Sequence, residues 1–198
     1  MPRNRLPYLV GLTGFSGAGK DVAAAGLVAA GWTRQAFADP VRSMALAIDP
    51  WVTCPTFSYS PVRLSLLVDE RGWWYAKQAP DVREFLQRLG TDAVRAHLGD
   101  DAWVRAFEHA RDRLWPADIV APDVRFDNEA AYIVRNGGMM IRIDRPGVGP
   151  VNTHASEDIG GIPVDEIVVN DGTPEQLQAR VLELVDRHYR TPVAGLPF

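Results

Sequence analysis

Cysteine is nearly absent from this chain: Cys54 is the single one among 198 residues. That excludes an internal disulfide framework and suits a reducing compartment. Cys54 stands beside Pro55 in a stretch rich in proline and aromatics, where a bystander is expected rather than a nucleophile. No apolar run approaches the ~20 residues of a membrane-spanning helix. The run after Met1-Pro-Arg-Asn-Arg5 is also too short for a signal peptide. Internal repeats and low-complexity tracts are missing. Excess positive charge is missing as well. The formal net charge is −4, which argues against a nucleic-acid polymer as partner. These absences leave a soluble, cytoplasmic protein without a membrane partner, expected to form one domain over residues 1–198 with a sizeable core.

What is present begins with Gly14-Phe-Ser-Gly-Ala-Gly19-Lys20-Asp21. Gly-x4-Gly-Lys is the core of a phosphate-binding loop. Its glycines let backbone N–H groups wrap a triphosphate, and the lysine neutralises the outer phosphates. The mostly apolar Tyr8–Thr13 suits a buried parallel strand, and Val22–Ala30 is a helix former that stops at Gly31. Strand, loop and helix stand in the order the motif requires. A dinucleotide fingerprint needs G-x-G-x-x-G, but counting from Gly17 and Gly19 the third position is Val22. A guanine-reading Asn-Lys-x-Asp is lacking after the late strand, which ends Ile167-Val-Val-Asn-Asp-Gly172.

Further along, Trp32–Phe37 reads as a strand and Asp39-Pro40 as a helix start. Pro50–Tyr75 reads as irregular. Helices are expected over Asp81–Leu98, Asp101–Leu114, Phe126–Asn136 and from Thr173 to about His188. Strands are expected over Asp118–Pro122, Met139–Ile143 and Glu166–Val169. Such alternation indicates a parallel sheet with helices on both faces, and ligands gather beyond its carboxyl edge.

Candidates for chemistry fall at those strand ends. Asp123 can hold Mg²⁺ through water or accept a proton, the bland alternative being a helix cap, and Arg125 can contact a phosphate. Arg83 and Gln87, one turn apart, border the apolar stripe of Phe85, Leu86, Leu89 and Ala93, whereas Arg88 and Asp92 point away from it. Arg142 and Arg145 flank the start of a Gly/Pro loop that runs to His154-Ala-Ser-Glu157 and reads as a lid over 145–157. Trp73-Trp74 is expected to pack rather than to stack a base. Asp21 replaces the usual Ser or Thr. A carboxylate there repels phosphate unless a divalent ion lies between them, so Asp21 either helps hold Mg²⁺, as a metal-ligand candidate together with Asp123, or turns away from the nucleotide.

These segments together resemble the deoxynucleoside monophosphate kinases of tailed bacteriophages. The likeness rests on Gly14–Asp21, Phe37-Ala-Asp-Pro40, Arg83-Glu-Phe-Leu-Gln-Arg-Leu-Gly-Thr91 and Asp100-Asp-Ala-Trp103. It continues through Asp123-Val-Arg-Phe-Asp-Asn-Glu129, Arg142-Ile-Asp-Arg-Pro-Gly147, His154-Ala-Ser-Glu157 and Asn170-Asp-Gly172. Lys-Asp is common at the end of that family's loop. The resemblance implies a three-layer α/β P-loop kinase with a five-stranded parallel sheet in the order 2-3-1-4-5 and a lid. It implies a helical substrate-binding segment over 39–115 and transfer of the γ-phosphoryl of ATP to a deoxynucleoside 5′-monophosphate, with Mg²⁺, for DNA precursor synthesis. ATP would be held by Gly14, Ser16, Gly17, Ala18, Gly19, Lys20 and Asp21, with Asn170 and Gly172 near adenine. Asp39, Arg42, Arg83, Gln87 and Arg125 would hold the monophosphate, Arg42 standing where the family often has lysine. Lys20, Asp123, Arg142 and Arg145 would carry the catalysis. A homodimer is compatible with the sequence. Two rivals stay open: a kinase of another small molecule such as dephospho-coenzyme A, and a non-enzymatic nucleotide-binding accessory protein.

Overall fold

A computed structural model describes residues 6–150 and 159–190. In chain order the elements are β1 (Leu9–Thr13), α1 (Lys20–Ala29), β2 (Thr33–Arg34), α2 (Asp39–Ile48), β3 (Trp51–Val52), β4 (Val62–Arg63), α3 (Leu64–Ala76) and α4 (Pro80–Gln87). A π-helical stretch (Arg88–Arg95) leads to a short α5 (Ala96–Leu98). After it come α6 (Ala102–Leu114), β5 (Ile119–Ala121), α7 (Asp127–Arg135), β6 (Met139–Asp144), β7 (Glu166–Val169) and α8 (Pro174–Arg190). The chain divides into two compact units. One comprises the chain up to Ala36 and from Phe107 onward, the other Phe37–Ala106.

The first unit is built on a five-stranded sheet ordered β2-β5-β1-β6-β7, in which every pair is parallel. Counting these five strands along the chain gives the expected order 2-3-1-4-5. β1, apart from Thr13 at its end, and β5 are apolar, and both are fully buried, because a parallel sheet is covered on both faces. Val10, Leu12, Ile141 and Ile143 pack with Leu27 of α1 and Val181 and Val185 of α8. Each such side chain contributes roughly 1.5–3 kcal/mol by leaving water. The opposite face meets α7 at close range. A Cβ on Gly11 would lie 2.5 Å from Met140 Sδ and 3.1 Å from Ile133, so a larger residue there would have to displace the Met140 side chain.

At the amino end of the strands, Tyr189 of α8 stacks on Tyr8 with ring centroids 3.9 Å apart. Its hydroxyl donates to the Leu9 carbonyl (2.6 Å) and accepts from the Leu9 N–H (3.3 Å). Burial pushes its phenol up to about 12.

The second unit is mainly helical. Asp39-Pro40 opens α2 as expected, and Asp49, in the left-handed region (φ 48°), closes it. Pro50–Tyr75 is more ordered than its composition suggests. β3 and β4 form a small antiparallel pair, with the Arg63 guanidinium 4.7 Å from the centre of the Trp51 ring. α3 follows, and it buries Leu64, Leu67 and Ala76 against Ala45, Val52 and Val82. Gly72 interrupts it with φ 75° and ψ 165°, a backbone that only glycine adopts without strain. Gly72 is therefore a joint inside a helical segment.

The helix expected over 81–98 is continuous but not uniform, since its hydrogen bonding changes to the i→i+5 pattern at Arg88. The Trp103 indole N–H donates to the Gly90 carbonyl there (2.8 Å). Trp32–Phe37 also yields a shorter strand than expected. Only Thr33 and Arg34 pair with β5, and the Gln35 N–H adds one more bond to the Val120 carbonyl.

Candidate active site

β1 ends at Thr13 and turns into Gly14–Gly19, from which α1 leaves at Lys20. Gly14, Gly17 and Gly19 have φ of 138°, 83° and 108°. A Cβ on Gly14 would collide with the Ile143 carbonyl, whereas Gly17 faces open space and is glycine for its backbone angle alone. Gly19 occupies the N-cap of α1 without any side-chain cap, which leaves the first N–H groups of the helix for an anion. The Lys20 ammonium donates to the carbonyls of Gly14 (2.6 Å) and Phe15 (2.8 Å), arching over the loop. Ser16 and Gly17 are exposed, and Ala18 is buried.

The other strand ends supply charged groups. Asp123 follows β5, the neighbour of β1, and the next residue, Val124, donates its N–H to the Leu12 carbonyl (3.0 Å). The carboxylate of Glu129, buried in the first turn of α7, takes the N–H groups of Arg125 (2.9 Å) and Phe126 (3.3 Å). Sequence reasoning missed Glu129, which was readable as an acid three residues after a helix start.

Arg142 lies within β6, paired in register with Thr13, and its Nε donates to the Asp144 carboxylate (3.1 Å). It is thus a strand residue held by a neighbouring acid. Arg145 opens the following loop and donates to the Gly17 carbonyl (3.4 Å). Phe15, Arg142, Asp144, Arg145, Ile159 and Val169 line a cleft of about 440 Å³ beside the phosphate loop. The lid expected over 145–157 is described only as far as Pro150. His154, Ser156 and Glu157 lie outside the described residues. At the end of β7, the Asn170 side chain donates to the Ala18 carbonyl (2.8 Å), and Gly172 packs on Gln176.

For a metal, the donors at hand are hard oxygens. Asp21 is exposed in the first turn of α1, and Asp123 is half-buried. Among the described residues there is no group of three or more His, Cys, Asp or Glu side chains. That set fits Mg²⁺, which is bound by one or two carboxylates together with phosphate oxygens and water. It does not fit a structural zinc cage.

In the second unit, Asp39 and Arg42 form an ion pair (3.3 Å), and the buried Arg42 Nε has no hydrogen-bond partner among the described residues. Arg83 and Gln87 are half-buried on α4. Arg88 is exposed, as the helical spacing predicts, and sits 3.9 Å from Glu84. A cleft of about 600 Å³ on this unit is lined by Asp81, Phe85, Leu89, Asp92 and His97 among others. Neither Arg83 nor Gln87 lines it. Arg95 is buried and donates to the Asp100 carbonyl (2.7 Å). Trp73 packs partly into the core, while Trp74 is 78% exposed.

Residues 70–181 match the family model of deoxynucleotide monophosphate kinase. A protein of Acanthamoeba polyphaga mimivirus that carries this name provisionally is 34% identical over 202 residues, with 90% of this chain and 96% of that protein covered. The chain belongs to the deoxynucleotide monophosphate kinase family. The deoxynucleotide monophosphate kinase of Enterobacteria phage T4 is 32% identical over 108 residues, covering 50% of this chain and 43% of its own length. TT1252 from Thermus thermophilus, a solved structure, shares the fold at a TM-score of 0.50 and 16% identity, covering 92% of this chain and 98% of its own. The family match takes in α4, Asp123, Arg142 and Asn170. The loop at Gly14–Asp21 precedes it.

Proposed function

We propose that this kinase transfers the γ-phosphoryl group of ATP to a deoxynucleoside 5′-monophosphate, giving ADP and a deoxynucleoside diphosphate for DNA synthesis. The observation that carries this reading is the loop itself: three left-handed glycines, an uncapped helix N-terminus and Lys20, in a chain of this family. An oxygen of the acceptor phosphate attacks the γ-phosphorus, and the bond from that phosphorus to the β,γ-bridging oxygen breaks with ADP leaving. The transition state is loose, so catalysis is mainly positioning and charge stabilisation.

Lys20 and the N–H groups around Gly14–Gly19 would hold the β- and γ-phosphates. Asp21 and Asp123 would hold Mg²⁺, which neutralises charge on the phosphates when bound. Arg83, Gln87 and Arg125, with Asp39 and Arg42, would hold the monophosphate. Arg145, already beside the loop carbonyl of Gly17, would stabilise the moving phosphoryl group, with Arg142 supporting it from β6. The 145–157 segment would exclude water as a lid. The reaction is placed in the cytoplasm. No helix among the described residues is long and apolar enough to cross a membrane.

A coupled assay of ADP formation with ATP and dTMP, dGMP, dCMP, dAMP or a modified monophosphate tests the proposal. Turnover with at least one of them is expected. ATP binding without transfer to any acceptor would overturn it in favour of an accessory protein. In the same assay Arg145→Ala should lower kcat by about 10²-fold, the scale of losing one transition-state donor, and raise KM less.

A further inference from the structure

The end of β7 is fastened to the phosphate loop. Asn170 Nδ2 donates to the Ala18 carbonyl at 2.8 Å, across 152 positions of sequence. The Asn170 backbone is itself fixed, because its N–H donates to the Asp144 carbonyl at 2.7 Å. Arg180 of α8 brackets it by donating to the Val169 carbonyl (2.7 Å) and to the Asp171 carboxylate (2.8 Å). That hydrogen bond from Arg180 holds the Asp171 carboxyl below the usual aspartate range. The Asn170 side chain packs against Gly19, where an added Cβ would stand 2.5 Å from Asn170 Nδ2.

A trans peptide sets its C=O and the next N–H on opposite sides. Drawing the Ala18 carbonyl toward Asn170 therefore turns the Gly19 N–H the other way, as an anion-wrapping loop requires. α8 supports the arrangement from behind. Gly26 of α1 lies against Gln178, whose Nε2 donates to the Val22 carbonyl (3.2 Å).

We infer that Asn170 is a positioning residue: through the Ala18 carbonyl it pre-sets the phosphate loop for a triphosphate, rather than reading the adenine base. The inference rests on the proposed reading of Gly14–Asp21 as a triphosphate loop. It differs from the adenine contact that the family resemblance implies for this residue. A base contact matters only to ligands that carry the base. A loop brace acts on any polyphosphate.

Binding of ATP and of inorganic tripolyphosphate, with Mg²⁺, is measured by calorimetry on the wild type, Asn170→Ala and Asn170→Ser. The expected result is a similar loss for both ligands in both variants, about tenfold for one hydrogen bond of this kind, with the thermal midpoint little changed. Loss for ATP alone, with tripolyphosphate unaffected, would make Asn170 a base contact and overturn the inference. Unchanged affinity for both ligands would overturn it too. Failure of both variants to fold would do the same, since a role confined to the loop leaves the core intact. If the wild type binds neither ligand, the triphosphate reading falls and takes the inference with it, a result no variant can mimic.

Discussion

The sheet unit and the helical unit place their glycines and aromatics in different ways. In the sheet unit the left-handed glycines at 14, 17 and 19 concentrate in one loop, and Tyr8 stacks on both Trp32 and Tyr189. In the helical unit Gly72 splits a helix, eight residues adopt π geometry, and Trp51, Tyr59 and Trp74 are 63%, 99% and 78% exposed. The difference teaches where pre-organisation is needed. A loop that wraps a triphosphate must have its N–H groups fixed before the ligand arrives, because their alignment is the source of the stabilisation. A parallel sheet buried on both faces supplies that rigidity. Irregular helices carrying polar groups beside half-buried apolar ones suit a surface tuned to a particular acceptor.

Several substitutions break or sharpen this contrast. The largest effect is expected at Lys20: Lys20→Ala should lower kcat by at least about 10²-fold while monophosphate binding persists, as read by steady-state kinetics and by direct titration with the acceptor. Equal loss of acceptor binding would contradict the proposed role of Lys20 on the donor's phosphates. Next comes Arg83→Ala, which should raise KM for the monophosphate about 10–100-fold, the scale of a lost charge-assisted hydrogen bond, and leave the affinity for ATP unchanged. A change in ATP affinity alone would remove Arg83 from the acceptor side.

Smaller effects concern the frameworks. Gly72→Ala places a side chain on φ 75°, ψ 165° and should destabilise the protein by about 1–3 kcal/mol in chemical denaturation. Unchanged stability would mean that α3 can close over residue 72 as an ordinary helix.

The smallest effect near neutral pH is at Tyr189, where the phenol is held protonated up to about 12, above its ordinary value of 10.0. A raised folded value means that its contribution to stability is complete below pH 10 and is lost as pH rises from there through about 12. Denaturation midpoints should fall across that window in the wild type. Tyr189→Phe should remove that part of the fall, and an identical slope in the variant would contradict the burial of this group.

Much of the sheet unit was legible because its signals are local. Gly-x4-Gly-Lys between a mostly apolar strand and an alanine-rich helix specifies loop, strand and helix together, and short apolar runs mark β1 and β5. β2 was overread because its length is set by its partner, β5, and the sequence of Trp32–Phe37 alone does not contain that limit. In the helical unit α3 was hidden by Gly72, a residue that usually ends helices and here joins two pieces of one. The π stretch was hidden because its i→i+5 bonding leaves no periodic signature over eight residues.

For the candidate site, the residue types and strand-end positions were readable, but their partners were not. Arg142 stands in the strand expected over Met139–Ile143, but its ion pair with Asp144 was not legible. Glu129 takes N–H groups at the start of α7, another partner that residue types alone did not reveal. Asn170 spends its amide on a loop carbonyl 152 positions away, a contact no local pattern announces.

The most direct test of the account follows the phosphoryl group itself. The protein is incubated with γ-labelled ATP, Mg²⁺ and a panel of deoxynucleoside monophosphates, and the products are separated. The expected result is label in a deoxynucleoside diphosphate, one per ADP formed, at a rate that Lys20→Ala lowers at least about 10²-fold. Label appearing only as inorganic phosphate, or transfer undiminished by Lys20→Ala, would contradict it.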